Sequence, residues 1–91
     1  MEPDEVLKLV KLFNPAVEPQ LSSKLAEDLK FDSIDIFELA SLVEDEFDFP
    51  KYGLAFDHNM IENWITVSDV VRDVILVLRI GKRARDSHFN M

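Results

Sequence analysis

A chain of 91 residues forms one domain and buries only about 60 to 65% of its unfolded surface, which allows a compact helical core and argues against a roomy catalytic cleft. The absence of cysteine excludes disulfides, thiolate zinc sites and thiol nucleophiles, and fits a reducing compartment. The net charge is −8, and between residues 27 and 48 nine acids face the single base Lys30; nucleic acid is a poor partner for such a surface and basic proteins are good ones. His58 and His88 are far apart with no HExxH-type pairing, so no metal site is expected. Met1 to Asp4 lack a basic region followed by an apolar run, and no apolar stretch approaches spanning length; a cytoplasmic monomer without a membrane span is expected.

In chain order, the first helix is expected from Asp4 to Phe13. Val6, Leu9, Val10 and Phe13 recur at the spacing of one helical face, Leu7 and Leu12 widen it, and Asn14-Pro15 ends it. Pro15 to Phe31 reads as a long connection crossing the bundle, pinned by Leu21, Leu25 and Leu29, with a helical turn at Ser23 to Leu29. The second helix is the clearest element, from Ser33 to Asp48. Asp32 is placed to accept the free N–H groups of its first turn, and Pro50 forces its end. Ile36, Leu39, Ala40, Val43 and Phe47 form its buried stripe. Asp32 and Asp35 suit the positive end of the helix dipole, whereas Glu44, Asp45, Glu46 and Asp48 crowd the negative end, where stability alone does not place them.

Phe49 to Ile65 reads as irregular, with a turn at Tyr52-Gly53 and a short helix around Asp57 to Asn63; Phe49, Tyr52, Phe56 and Trp64 are expected core anchors. The last helix is expected to start at Thr66, whose hydroxyl caps it, and to stop near Ile80 with Gly81 at the C′ position. Val67, Val70, Val71, Val74 and Leu78 repeat at helical spacing, with Asp69, Arg72, Asp73 and Arg79 between them. The domain therefore spans residues 1 to 81, and residues 82 to 91 form a basic, mobile tail whose cations either stay solvated or fold back onto the acids of the second helix.

Ser33, held between Asp32 and Asp35, is the residue on which a function turns. As a nucleophile it needs a base, an orienting acid and an oxyanion hole; no GxSxG elbow surrounds it, and His58 must arrive from an irregular segment. As a plain first-turn polar residue it needs nothing further. As a substrate it needs only an accessible Oγ, a rigid helix to present it and a surface on which a modifying enzyme docks.

Three separated pieces carry a resemblance: Leu25-Ala26-Glu27-Asp28-Leu29, then Asp32-Ser33-Ile34-Asp35-Ile36-Phe37-Glu38-Leu39, then Glu44-Asp45-Glu46-Phe47. Together they resemble the acyl carrier proteins, with an xEDL element, a DSLDxxEL attachment motif and an acidic EExF end to the second helix. The likeness covers residues 4 to 80 and implies an all-α four-helix bundle with a long first loop and a short third helix. It also implies that the protein is not itself an enzyme. In this reading Ser33 receives 4′-phosphopantetheine from coenzyme A through a separate phosphopantetheinyl transferase in a magnesium-dependent reaction. The arm carries acyl groups as thioesters between enzymes of fatty-acid, polyketide or other specialised lipid biosynthesis, and supplies the thiol that a chain without cysteine lacks. Asp32, Ile34, Asp35, Phe37, Glu38, Glu44 and Asp45 become contacts for partner enzymes with basic docking patches.

Several positions depart from the family. Lys30-Phe31 stands where a glycine is usual, making Phe31 a local anchor. Ile34 replaces leucine, the Phe49 to Ile65 segment is longer, the tail is extra, and Asp32 rather than histidine precedes the serine, which favours acyl over aminoacyl cargo. These features suggest a specialised carrier. Interior size should decide the cargo, with Phe37, Phe56 and Trp64 able to fill the space that Ala40 leaves. The alternative is an unmodified acidic helical module that binds proteins.

Overall fold

The computed structural model describes residues 2–89, with side chains to Gly81. Within it the chain forms α1 (Glu2–Phe13), α2 (Ser33–Glu46), a 3-10 turn (Pro50–Tyr52), α3 (His58–Glu62) and α4 (Val67–Phe89). Among the described residues there are four α-helices, no strand and one isolated antiparallel bridge, between Lys24 and Thr66. The all-helical expectation with a long first loop and a short third helix is thus met.

α1 packs on both α2 and α4, and α3 lies against α2. The expected stripes supply most of the core: Val6 and Val10 from α1, Leu39, Ala40 and Val43 from α2, and Val67, Val70, Val71 and Val74 from α4 are all buried, joined by Val77 of α4, which the stripe did not include. Ile36 of α2, Phe47 just after it, Leu9 and Phe13 of α1 and Leu78 of α4 pack against it from its margin. Phe31 is buried and rests on the Phe13 ring at 4.9 Å between centroids, the anchor expected of it.

The crossing loop is held by Leu25 and Leu29, both buried, whereas Leu21 lies exposed and is not a pin. The turn expected at Ser23 to Leu29 forms, and it is not extended into a helix. The Asp28 carboxylate accepts the Lys24 N–H at 2.8 Å, Asp28 and Leu29 both donate back to the Lys24 carbonyl, and Lys30 takes a positive φ of 63°. A side chain that satisfies the backbone locally diverts it from continuing as a helix. Three longer-range bonds then join this loop to the start of α4: Leu25 N–H to the Ile65 carbonyl (2.8 Å), Val67 N–H to Ser23 (3.1 Å) and Ser68 N–H to Leu21 (2.9 Å).

The ends of the helices differ from the sequence reading in instructive ways. α1 starts two residues early, at Glu2, with Glu2, Asp4 and Glu5 in its first turn, where the dipole favours acids. α2 ends at Glu46 rather than Asp48. Phe47 is the C-cap, and Asp48 takes the left-handed C′ position (φ 57°) usually given to glycine. The N–H groups of Phe49 and Asp48 return to the carbonyls of Glu44 (2.9 Å) and Asp45 (3.2 Å), which makes a Schellman closure. Thr66 caps α4 as expected, and Asp69 completes a reciprocal cap by accepting from the Thr66 N–H at 3.0 Å.

The stop expected at Gly81 is absent, and α4 runs through it to Phe89. Gly81 is small for a different reason: a Cβ there would sit 2.6 Å from Cδ1 of Leu54. The glycine admits the Leu54 side chain against the helix. Side chains from Lys82 onward, and Asn90 and Met91 entirely, lie outside the described residues, and with them the expected mobility of the tail and its contact with the acids of α2.

Candidate functional site

Ser33 is the first residue of α2 and is exposed. The helix start is organised by its neighbours. The Asp32 carboxylate accepts the Asp35 N–H at 2.8 Å, and the Asp35 carboxylate accepts the Asp32 N–H at 3.1 Å, a complete capping box. Two aspartates thus perform the task that serine often performs at a helix start. The Ser33 hydroxyl makes no hydrogen bond among the described residues, so it is presented on a fixed backbone without a structural duty.

Around it, Ile34 is 67% exposed and Phe37, one turn along, is 38% exposed, with its ring edge-on to His58 at 5.7 Å. Glu38 and Asp45 are exposed further down the helix. Asp32, Ile34, Glu38 and Asp45 are therefore exposed, whereas Asp35 is half-buried, and both aspartates are engaged in the cap. Glu44 is also half-buried, and its carboxylate accepts the Phe56 N–H at 2.8 Å. That bond ties the segment after the 3-10 turn to α2, so Glu44 holds the fold as well as carrying charge.

His58 opens α3 and its ring contact is with Phe37; the Asp57 beside it spends an oxygen on the Asn59 N–H at 2.9 Å. No Ser-His-acid relay is assembled among the described residues, and no group of three His, Asp or Glu able to hold a metal occurs among them. Nor is any described helix long and apolar enough to cross a membrane.

The aromatic segment is largely interior. Phe49, Phe56 and Trp64 are buried and stack in sequence, with centroids 5.1 Å and 5.0 Å apart, the second pair edge-on. Tyr52, expected among them, is exposed on the 3-10 turn. Trp64 reaches a partner that periodicity did not reveal. Its Nε1–H donates to Asp73 at 2.7 Å, and Asp73, which falls between the apolar positions of α4, is only 4% exposed. The other Asp73 oxygen accepts from Arg72 Nε at 3.2 Å, which raises the Arg72 pKa further above its ordinary value. The one usable signal for this pair was chemical: a buried indole N–H needs an acceptor.

Trp64 also lines a cleft of about 130 Å³ with Ile36, Ile65, Ala26, Lys24 and Glu27. Ile36 lies one helical turn from Ser33, and Ser33 itself does not line the cleft. Its walls come from the crossing loop, α2 and the residues just before α4, which the Leu25–Ile65 backbone bond holds together. Compared with known proteins, the sequence matches no family model and aligns significantly with no curated protein.

Proposed function

We propose that this chain is an acyl carrier protein in which Ser33 is the attachment site of 4′-phosphopantetheine. The observation that carries this reading is the exposed Ser33 hydroxyl at the first position of α2, left unbonded because Asp32 and Asp35 cap the helix between them. In the loading step the Ser33 oxygen attacks the phosphorus of coenzyme A that bears the pantetheine. An Oγ–P bond forms, the pyrophosphate P–O bond breaks, adenosine 3′,5′-bisphosphate leaves, and the serine proton passes to a base on the transferase.

The residues present fit such a group. The cap uses the N–H of Asp35 and leaves the first-turn N–H groups of Ser33 and Ile34 facing outward, where the helix dipole favours an anion. The Asp32 and Asp35 carboxylates oppose that attraction, so these N–H groups would hold a phosphate on Ser33 only weakly. When attached, the arm supplies a terminal thiol on which acyl groups are held as thioesters. This chain supplies the presentation: a rigid helix start, apolar contacts at Ile34 and Phe37, and the acids Glu38 and Asp45 for basic partner enzymes. Exposed charge pairs contribute only about 0 to 1 kcal/mol each, which suits docking that must release.

The test is to incubate the protein with coenzyme A, magnesium and a promiscuous phosphopantetheinyl transferase and to weigh it intact. The expected result is a gain of one phosphopantetheinyl group that is absent in Ser33→Ala. No gain with several transferases would favour the second reading, an unmodified interaction module, for which the exposed Ile34 and Phe37 among acids are the supporting observation.

A further inference from the structure

Two outward faces of this molecule carry the same pattern with opposite charge. On α2, Glu38, Leu42 and Asp45 are exposed at the i, i+4, i+7 spacing of one helical stripe, with Glu46 beside them. On α4, Arg72, Leu76 and Arg79 are exposed at the same spacing, with Ile80 beside them. Leu42 is 39% exposed, Leu76 44% and Ile80 55%. The opposite sides of both helices form the core around α1, so the two stripes point to solvent and do not meet within one copy. The Glu38 and Asp45 carboxylates and the Arg79 guanidinium have no partner among the described residues. Arg72 is shared with Asp69 at 3.3 Å and Asp73 at 3.2 Å. Residues 79 to 85 hold four bases and no acid, in a chain whose net charge is −8.

We propose that the acidic stripe of α2 receives the basic stripe of α4 from a second copy of this chain. Laid along each other, the stripes put Leu42 against Leu76 and oppose acids to bases in either direction. Parallel helices pair Glu38 with Arg72 and Asp45 with Arg79; antiparallel helices pair Glu38 with Arg79 and Asp45 with Arg72. The leucines supply apolar contact, and the charges at either end select the pairing, because α2 on α2 or α4 on α4 would oppose like charges. The two surfaces differ, so a pair of copies closes when each gives its α4 to the α2 of the other. One helix laid on another is a small interface, which makes the association transient. Glu38 and Asp45 are also the acids offered above to partner enzymes, so self-association and that docking exclude each other. Ser33 takes no part in the contact, and the proposal stands whether or not the serine is modified.

The experiment is sedimentation equilibrium of the full chain across the micromolar to millimolar range, with circular dichroism to verify that each variant is folded. The weight-average mass is expected to rise with concentration. Salt screens both the attraction between the stripes and the repulsion between two copies of net charge −8, so exchanged charges rather than ionic strength carry the test. Arg79→Glu alone, and Glu38→Lys combined with Asp45→Lys, should each weaken self-association by about tenfold or more, because each opposes like charges across the contact. The second variant moves the net charge from −8 to −4, which by itself would favour association, so a weakening there reports the stripe and not the overall repulsion. An equimolar mixture of the two variants should associate more tightly than either alone, since the unaltered α2 of the first meets the unaltered α4 of the second.

A mass that stays at the monomer value throughout would overturn the proposal and leave the α4 stripe to an acidic segment of another protein. Stronger association of the Glu38→Lys, Asp45→Lys variant would overturn it as well, as would a mixture no tighter than its components. If Arg79→Glu does not fold, the α2 variant decides alone. The loading of Ser33 by a transferase is read separately by intact mass, so failure of either reading leaves the other standing.

Discussion

The division of labour at the start of α2 has a measurable consequence: removing Asp32 should harm the fold, and removing Ser33 should not. Asp32→Ala deletes the carboxylate that accepts the Asp35 N–H at 2.8 Å, while the reciprocal bond from the residue-32 N–H to Asp35 survives. Loss of a helix cap costs about 1 kcal/mol, within a range of about 0.5 to 2, and loss of a negative charge at the positive end of the dipole adds about 0.3 to 1 kcal/mol. The sum, roughly 1.5 kcal/mol, corresponds to a fall in Tm of about 6 to 12 °C for a domain of this size. Ser33→Ala removes an exposed hydroxyl with no partner and introduces a better helix former, so its effect should stay within about 0.5 kcal/mol. Urea unfolding followed by far-UV circular dichroism at 25 °C measures both, with an unchanged m-value as the check on two-state behaviour. Asp32→Ser, which retains a capping oxygen and loses the charge, should fall between them. Equal destabilisation by Ser33→Ala and Asp32→Ala would refute the reasoning, since the serine would then be a structural residue and not a free acceptor.

Two further outcomes are expected. Asp48→Gly should raise stability by about 1 kcal/mol: relief of a left-handed residue contributes about 1 to 2 kcal/mol and relief of an acid at a helix C-terminus about 0.3 to 1, offset by about 0.5 to 1 for the freedom of glycine in the unfolded chain. Asp48→Ala, which keeps the backbone conformation, should gain little or nothing in the same urea titration. For Asp69, burial pushes the carboxyl up, but the N–H groups of Thr66 and Ile65, the Arg72 charge and the Thr66 hydroxyl outweigh it and hold the pKa below its ordinary value. A carboxyl depressed in the folded state contributes stability above its unfolded pKa of about 3.9 and loses it as the pH falls through the folded value. The gap in stability between the wild-type protein and Asp69→Asn should therefore be constant above about pH 5 and narrow below about pH 4; a gap that widened in acid would contradict this.

What the sequence made legible was whatever depends on near neighbours. The cap at Asp32, the valine stripe of α4 and the exposure of Ser33 follow from residues within one or two turns of each other, and each stands where periodicity and capping chemistry put it. The misjudged features are those decided by distant partners. Gly81 has the appearance of a helix stop because glycine usually ends helices, but its smallness answers Leu54, from the segment between α2 and α3. Asp73 sits between apolar positions like any solvent-facing acid, and only the arrival of Trp64 explains its burial. Glu44 reads as one more acid in a charged run until Phe56 is seen to donate to it. At Ser23 to Leu29 the expected single turn forms, and the Asp28 carboxylate that fixes it was not foreseen.

The three backbone bonds between the crossing loop and the start of α4 bear on the order in which this molecule is completed. They join Leu21, Ser23 and Leu25 to Ile65, Val67 and Ser68, partners from opposite halves of the chain. Individual helices form in about a microsecond or less, but closing a long span costs loop entropy before any contact is gained, so these pairings come late. The approach to Ser33 runs directly out of that loop, through Phe31, whose N–H returns to Leu25. On a ribosome, the helix start would therefore lack its finished support until Ser68 had emerged. An enzyme that recognises the folded surface around Ser33 would act after synthesis of that segment and reject a nascent chain.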